Sequence, residues 1–336
     1  MAIPGIPTTI LVAPDAFKGT YRATEVAAAI GQRLKRAGRD VDLCPIADGG
    51  EGTLDALVPA LGAEIRTALV EDPLGRPIEA PFALTPPNRR GATAVVEVAA
   101  ASGLHLVSDS ERDPVNASTF GTGQLIAAAL EAGPRTVLVA AGGSATTDGG
   151  AGAIKAIQRA GGVPAGARLV VLADVRTAFE DAAHVFGPQK GATPHDVRRL
   201  TRRLHALARR YGQRDPRGIP QTGAAGGLSG GLWAAFGAEL IAGAAYVLDA
   251  IGFDNRLRRA RAVVTGEGRL DEQSLAGKAL SEVATRARQG GVPSHAIVGS
   301  SVLDRFGLRI LDLQAVLEAH TVRQLEAAGE RLAGLL

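Results

Sequence analysis

The sequence predicts an α/β protein of two domains. A doubly wound, Rossmann-like domain is drawn from both chain ends, 1–62 and 243–336, with an α+β domain, 63–242, inserted between them. Three observations carry this. Short apolar runs suited to buried parallel strands occur at 9–13, 137–141, 262–265 and 296–298, and polar, glycine-bearing loops follow them. Between 63 and 107 the pattern changes to closely spaced strands broken by turn signals. A chain of 336 residues is also long for a single core.

The first strand, 9–13, enters the loop Pro14-Asp15-Ala16-Phe17-Lys18-Gly19-Thr20. Thr24 is the expected N-cap of a helix ending at Ala37, stopped by Gly38. A strand at 41–45 leads to Asp48-Gly49-Gly50-Glu51-Gly52-Thr53 and a short helix. Strands at 65–70, 78–84 and 94–98 form an antiparallel meander, with Asp-Pro, Leu-Gly-Arg-Pro and Pro-Pro-Asn-Arg-Arg-Gly turns. A helix over 121–132, with an ordinary start at 119–122, precedes the strand 137–141. A helix at 152–160 and a strand at 169–173 come next. An arginine-rich amphipathic helix spans 193–211 and an exposed loop spans 212–222. The stretch 223–251 is too rich in glycine for a surface helix and reads as close helix packing or a ligand-facing loop, with Trp233 in the core. Strands at 262–265 and 296–298, a helix opened by Gly277-Lys278, and a last strand and helix within 311–336 complete the chain.

Composition excludes several functions. Aromatic residues are only 4%, too few for base-stacking platforms. The net charge is +3, and the arginine runs at 198–210 and 256–261 read as solvated helix faces, so no nucleic-acid partner is expected. Cys44 is the single cysteine, which rules out an internal disulfide; it is expected only to pack. The six histidines lack paired ligand spacing, which argues against zinc. Without a leader or an apolar run approaching about 18 residues, the expectation is a soluble cytoplasmic monomer or homodimer that does not enter membranes.

Chemistry-bearing residues concentrate at the predicted strand ends, where ligands bind in open α/β sheets. After the strand 137–141 come Gly142, Gly143, Ser144, Thr146, Thr147, Asp148, Gly149 and Gly150. A strand, a glycine and hydroxyl loop and a helix start together suit an anion. A tight turn needing glycine for sterics alone is the simpler alternative. Asp48 and Glu51, flanked by Gly49 and Gly50, suit magnesium ligation and general-base work, against plain helix capping. The loop Gly266-Glu267-Gly268-Arg269-Leu270-Asp271 repeats this chemistry, and Asp15 and Glu267 are candidates for a supporting role. Lys18, Lys190 and Lys278 are three of five lysines, each beside a glycine, and a compact ammonium can follow a moving phosphoryl group. Ser300-Ser301 after Gly299 reads first as a cap, with contact to phosphate or substrate as the alternative.

Taken in order, Ala13-Pro14-Asp15-Ala16-Phe17-Lys18-Gly19, Asp48-Gly49-Gly50-Glu51-Gly52-Thr53, Gly142-Gly143-Ser144-Ala145-Thr146-Thr147-Asp148-Gly149-Gly150, Phe186-Gly187-Pro188-Gln189-Lys190-Gly191-Ala192, Gly223-Ala224-Ala225-Gly226-Gly227 and Thr265-Gly266-Glu267-Gly268-Arg269-Leu270-Asp271 resemble the type I bacterial glycerate kinases. The resemblance covers nearly the whole chain. It departs at Ala16, where the family usually has serine, and at 173–178, which keeps only Asp-Val of the usual Cys-Asp-Val-x-Asn-Pro-Leu.

The resemblance implies ATP- and Mg²⁺-dependent phosphorylation of D-glycerate, most often at the 2-hydroxyl, by a two-domain α/β protein with its active site in the cleft. On that reading the 142–150 loop holds an anionic group, and Mg²⁺ sits on Asp48 with Asp148 or Asp271, Glu51 being a further candidate ligand. Lys18 and Lys190 counter developing charge, one of the three aspartates is the base, and Gly266, Arg269 and Lys278 contact phosphate or substrate. The alternatives are a glycerate 3-kinase and a non-catalytic protein that senses a sugar phosphate. A nicotinamide-dependent oxidoreductase would need Gly-x-Gly-x-x-Gly after the first strand, and residues 13–20 lack it.

Overall fold

A computed structural model describes residues 8–17, 19–89, 91–211 and 214–336. Lys18 lies outside the described residues. In chain order the strands are β1 (Thr9–Pro14), β2 (Asp40–Leu43), β3 (Glu64–Glu71), β4 (Pro77–Leu84), β5 (Thr93–Glu97), β6 (Thr136–Ala140), β7 (Arg168–Leu172), β8 (Glu239–Ile241), β9 (Ala260–Gly266), β10 (Arg269–Leu270), β11 (Ser294–Val298), β12 (Ser300–Ser301) and β13 (Leu313–Glu318). The chain divides into two compact units, Met1–Asp48 with Ala244–Leu336, and Gly49–Gly243.

The terminal unit is a five-stranded sheet in the order β13-β11-β9-β1-β2, parallel throughout. The inner strands β1, β9 and β11 carry continuous apolar runs because both faces are covered. Ile10 and Val12 of β1 pack on one side with Ile30 and Leu34 of helix Ala23–Arg36 and Leu332 of helix Val322–Ala333. Leu11 and Ala13 pack on the other with Leu248, Phe253 and Val283. Ile10, Leu11 and Val12 are fully buried, each removal from water stabilising the fold by roughly 1.5–3 kcal/mol. The sheet grows outward from β1 in both directions, to β2 on one side and β9 on the other. Such a reversal opens a crevice at the carboxyl ends of the two central strands.

The inserted unit holds a six-stranded mixed sheet, β3-β4-β5-β6-β7-β8. The expected meander is its antiparallel edge, β3-β4-β5, and β5 continues it into a parallel half through β6, β7 and β8. The α+β insert is therefore one sheet with two pairing modes. Leu125 and Ile126 of helix Phe120–Glu131 and Ile157 of helix Ala151–Arg159 pack against Val137 and Val139 in the core. Helix Thr53–Leu61 falls in this unit, where Leu54 N–H donates to Glu97 Oε1 at 2.7 Å.

Several local expectations are corrected. Arg22, not Thr24, is the N-cap of the first helix, because Glu25 Oε2 accepts from Arg22 N–H at 2.8 Å and moves the start forward. Trp233 is half-buried; Leu228 and Leu232 take the core-facing positions of helix Leu228–Phe236. Ser300 and Ser301 form β12, paired in parallel with β10, instead of capping a helix. The three-residue β8 and the helix Arg305–Leu311 were not expected; both are too short for periodicity to register.

Candidate active site

The crevice between β1 and β9 in the terminal unit is a cavity of about 430 Å³. Five chain segments reach it, each just beyond a strand of that sheet. Asp15 follows β1, Asp48 follows β2, Glu267 to Asp271 follow β9, Ser300 follows β11 and His320 follows β13. The first segment is anchored by Asp15 N–H donating to Gly266 O at 2.8 Å, and Asp15 Oδ1 accepts from Ala16 N–H at 2.7 Å. The Asp48 segment is held to β1 by Cys44 N–H to Val12 O (2.8 Å) and Ile46 N–H to Pro14 O (3.0 Å). The loop 267–271 is zipped to 299–302 by donation from Gly299 N–H to Glu267 O (3.0 Å) and Val302 N–H to Leu270 O (3.0 Å). Gly266 is required by packing: a Cβ there would collide with Ile297 O of β11.

Four carboxylates, Asp15, Asp48, Glu267 and Asp271, thus share one cavity with the cations Arg269 and Lys278. Arg269 Nε lies 3.5 Å from Asp271 Oδ2, its guanidinium largely exposed. Lys278 is the N-cap of helix Ala279–Gln289 and is half-buried. Among the described residues no group of three or more acidic, histidine or cysteine side chains has the spacing of a complete metal site. Hard oxygen donors in a phosphate-sized crevice nevertheless fit magnesium, which commonly uses one or two carboxylates and completes its shell from water and substrate phosphates.

The remaining expected residues form a second cluster in the inserted unit. Asp148 is 1% exposed and both its oxygens are engaged. Oδ2 accepts from Thr119 N–H (2.9 Å), Thr119 Oγ1–H (2.9 Å) and Gly152 N–H (3.1 Å), and Oδ1 accepts from Gly150 N–H (3.0 Å). This carboxylate satisfies the start of helix Ala151–Arg159 and ties it to Thr119, so the turn at 119–122 does more than open its own helix. Lys190 is buried as well; its Nζ donates to Ser144 Oγ at 3.0 Å and to Thr146 O at 2.5 Å. Burial pulls the Lys190 ammonium down to about 7, opposed by the charge of Asp148. Thr146 and Thr147 are wholly buried, and their hydroxyl oxygens have no hydrogen-bond partner among the described residues.

Glu51 is half-buried beside the Gly142-Gly143 turn, and Gly142 backs onto Gly50 so closely that a Cβ would lie 2.6 Å from Gly50 Cα. The glycine requirement at 142 is therefore backbone packing. Gly49, Gly143 and Gly149 adopt left-handed φ values of 81°, 66° and 66°. Sequence reasoning had no signal for Glu97. It is buried at the end of β5 and accepts the Leu54 N–H; burial pushes its carboxyl up to about 7, with Asp55 and Glu51 adding to the rise. Asp48 and Asp271, with Arg269 and Lys278, are thus gathered in one unit, while Asp148, Lys190, Ser144, Thr146 and Thr147 are gathered in the other. Ser300, for which contact with phosphate or substrate was the second reading, lines the first cavity, and so does His320, which was not expected there because a lone histidine after a strand carries no pattern.

The glycerate kinase family model matches residues 10–160 and 158–333. A glycerate kinase of Halalkalibacterium halodurans is 39% identical over 327 residues, covering 87% of this chain and 85% of that protein. The glycerate 2-kinase of Escherichia coli is 36% identical over 326 residues, with coverage of 87% and 85%. A solved chain from Salmonella typhimurium LT2, proposed to be glycerate kinase 2, superposes with a TM-score of 0.78 at 32% identity, covering 98% of each chain. Carboxylates at the switch point of a parallel sheet suit phosphoryl transfer, and the similarity extends over both units. The chain is accordingly an enzyme of the glycerate kinase family.

Proposed function

We propose that the chain transfers the γ-phosphoryl group of ATP to the 2-hydroxyl of D-glycerate, giving 2-phospho-D-glycerate. The observation that supports it is the cavity at the β1/β9 crevice, where four carboxylates face Arg269 and Lys278. The acceptor follows from the family, and the 2-hydroxyl from the relative named glycerate 2-kinase.

Phosphoryl transfer asks a protein for position and charge compensation more than covalent chemistry. The exposed Arg269 guanidinium offers a planar fork to the glycerate carboxylate, and Lys278 offers a point charge to phosphate oxygens. Asp48 and Asp271 divide the remaining work, one accepting the proton of the attacked hydroxyl and the other holding Mg²⁺. A Mg²⁺ held there would supply positive charge to offset that of the phosphates. Asp15 and Glu267, fixed to their strand ends, keep these groups in place. Asp148 is buried and accepts from four donors, so its assigned role is to shape the 142–150 loop rather than to bind metal or take the proton. Lys190, bonded to Ser144 and Thr146, holds that loop from the other side, and its protonated fraction brings positive charge to it. Lys18 keeps its assignment as a counter-charge by its place in the first motif.

The test is release of ADP from ATP and Mg²⁺ on adding D-glycerate, with the product identified by NMR. Asp48→Asn and Asp271→Asn should each lower kcat by roughly a hundredfold or more with folding retained. A product phosphorylated at the 3-hydroxyl would replace the regiochemistry. No ADP, with stabilisation by a sugar phosphate instead, would replace catalysis with sensing.

A further inference from the structure

Helix Ala151–Arg159 begins at the 142–150 loop and farther along borders a second concavity, about 430 Å³, which the phosphoryl-transfer scheme leaves unused. Three cations converge on it. Lys155 and Arg159 stand one turn apart on this helix, and Arg203 comes from helix Pro194–Arg210. The two arginines are held by contacts with neutral groups. The Arg159 guanidinium lies over the Phe120 ring, 5.6 Å from its centroid, and Arg203 Nη1–H donates to Val115 O at 2.8 Å. Neither Lys155, Arg159 nor Arg203 makes an ion pair among the described residues. Three cations and two carboxylates, Glu71 and Asp148, line the hollow, and the excess of positive charge favours an anion.

Two further groups narrow the ligand. Ser118 Oγ accepts from Phe120 N–H at 3.1 Å, which leaves its own proton to donate into the hollow. Glu71 lines the same hollow and carries a carboxylate, which repels bare anions and accepts from a hydroxyl. The floor is Gly152 and Asp148, the carboxylate that brackets the 142–150 loop.

We propose that this concavity binds a small phosphate monoester carrying a free hydroxyl. The phosphate meets Lys155, Arg159 and Arg203, and the hydroxyl donates to Glu71. A solvated arginine face is the competing account, and the experiment separates the two. Thermal unfolding of the full chain is followed while glycerol phosphate, inorganic phosphate or sodium chloride is titrated at matched ionic strength. A ligand that binds the native state alone raises Tm with concentration. For the double variant Lys155→Ala/Arg159→Ala, the Kd for glycerol phosphate should weaken by roughly tenfold or more. The stabilisation by ATP and the kcat with glycerate should stay at wild-type values. Glu71→Gln should weaken glycerol phosphate and leave inorganic phosphate unchanged or tighter. Equal affinity in wild type and the double variant, or no effect beyond chloride in wild type, overturns the site. An unchanged ester affinity in Glu71→Gln overturns the hydroxyl contact and with it the ligand class. Failure of the kinase reading is distinguishable: no ADP would form, yet the variant-dependent binding would persist.

Discussion

Replacing Asp148 by asparagine separates an organising carboxylate from a chemical one. Its oxygens accept four hydrogen bonds, from Thr119 N–H and Oγ1–H, Gly150 N–H and Gly152 N–H, at 2.9–3.1 Å, in a site 1% exposed. The amide can keep its one acceptor oxygen at the Oδ2 position, where three donors meet, but turns its NH₂ group toward Gly150 N–H, so one contact is lost and two donors face each other. A hydrogen bond to a charged partner contributes about 1.5–3 kcal/mol, which puts the loss near 1.5–3 kcal/mol. That is a large share of the roughly 5–15 kcal/mol that holds a domain folded. Urea unfolding should show the loss as a lower midpoint. Thr119→Val, which removes the hydroxyl bonded to Asp148 and to Ala153 N–H, should cost less. The double variant should show a coupling of at least about 1 kcal/mol, as expected for residues sharing a hydrogen bond. If Asp148→Asn unfolds within about 0.5 kcal/mol of wild type while kcat collapses a hundredfold, the carboxylate serves the chemistry and the bracket argument is wrong.

Three other outcomes follow from Lys190, Glu97 and Gly142. Lys190 falls to about 7 in the folded state against an ordinary value of 10.5, so between those pH values the unfolded chain binds more protons. Wild-type stability should rise with pH across that window by up to about 1.4 kcal/mol per unit relative to Lys190→Met, and parallel pH curves would show that the ammonium is not desolvated. Glu97 rises to about 7 from 4.5, so here the native state holds the extra proton. Its contribution is full below pH 4.5 and is lost as pH climbs through about 7; Glu97→Gln should flatten that fall in urea titrations, and an unchanged slope would assign it to other groups. Gly142→Ala places a Cβ 2.6 Å from Gly50 Cα and should lower stability by about 1–3 kcal/mol in thermal unfolding. A wild-type Tm would mean that the Gly50 turn yields without cost.

Much of the fold was legible because its signals are local. Residues 9–13 are apolar without alternation, and β1 indeed presents Ile10 and Val12 to one core and Leu11 and Ala13 to another. The turn signals at 63–107 marked β3, β4 and β5 correctly, yet nothing there announced that β5 would also pair in parallel with β6. Pairing is a contact between distant segments, and periodicity reports only which face of a segment is apolar. The candidate residues show the same divide. The carboxylates after β1, β2 and β9 could be named from their loops, and their sharing of one cavity follows from strand order. Asp148 was equally conspicuous, but Thr119, the donor that occupies it, lies 29 residues away in a stretch that reads as an ordinary helix start.

The amino-acid sequence alone determined the two-domain α/β class, the glycerate kinase resemblance and which residue types stand at the ends of strands. Local backbone preference and hydrophobic patterning act over a few residues and are written in the chain directly. Only the tertiary structure decided that Asp15, Asp48, Glu267 and Asp271 surround one crevice, that Lys190 is stripped of water, and that Asp148 is satisfied by backbone donors. Those properties belong to desolvation and to hydrogen bonds closed across long stretches of chain, and they arise when the sheets form.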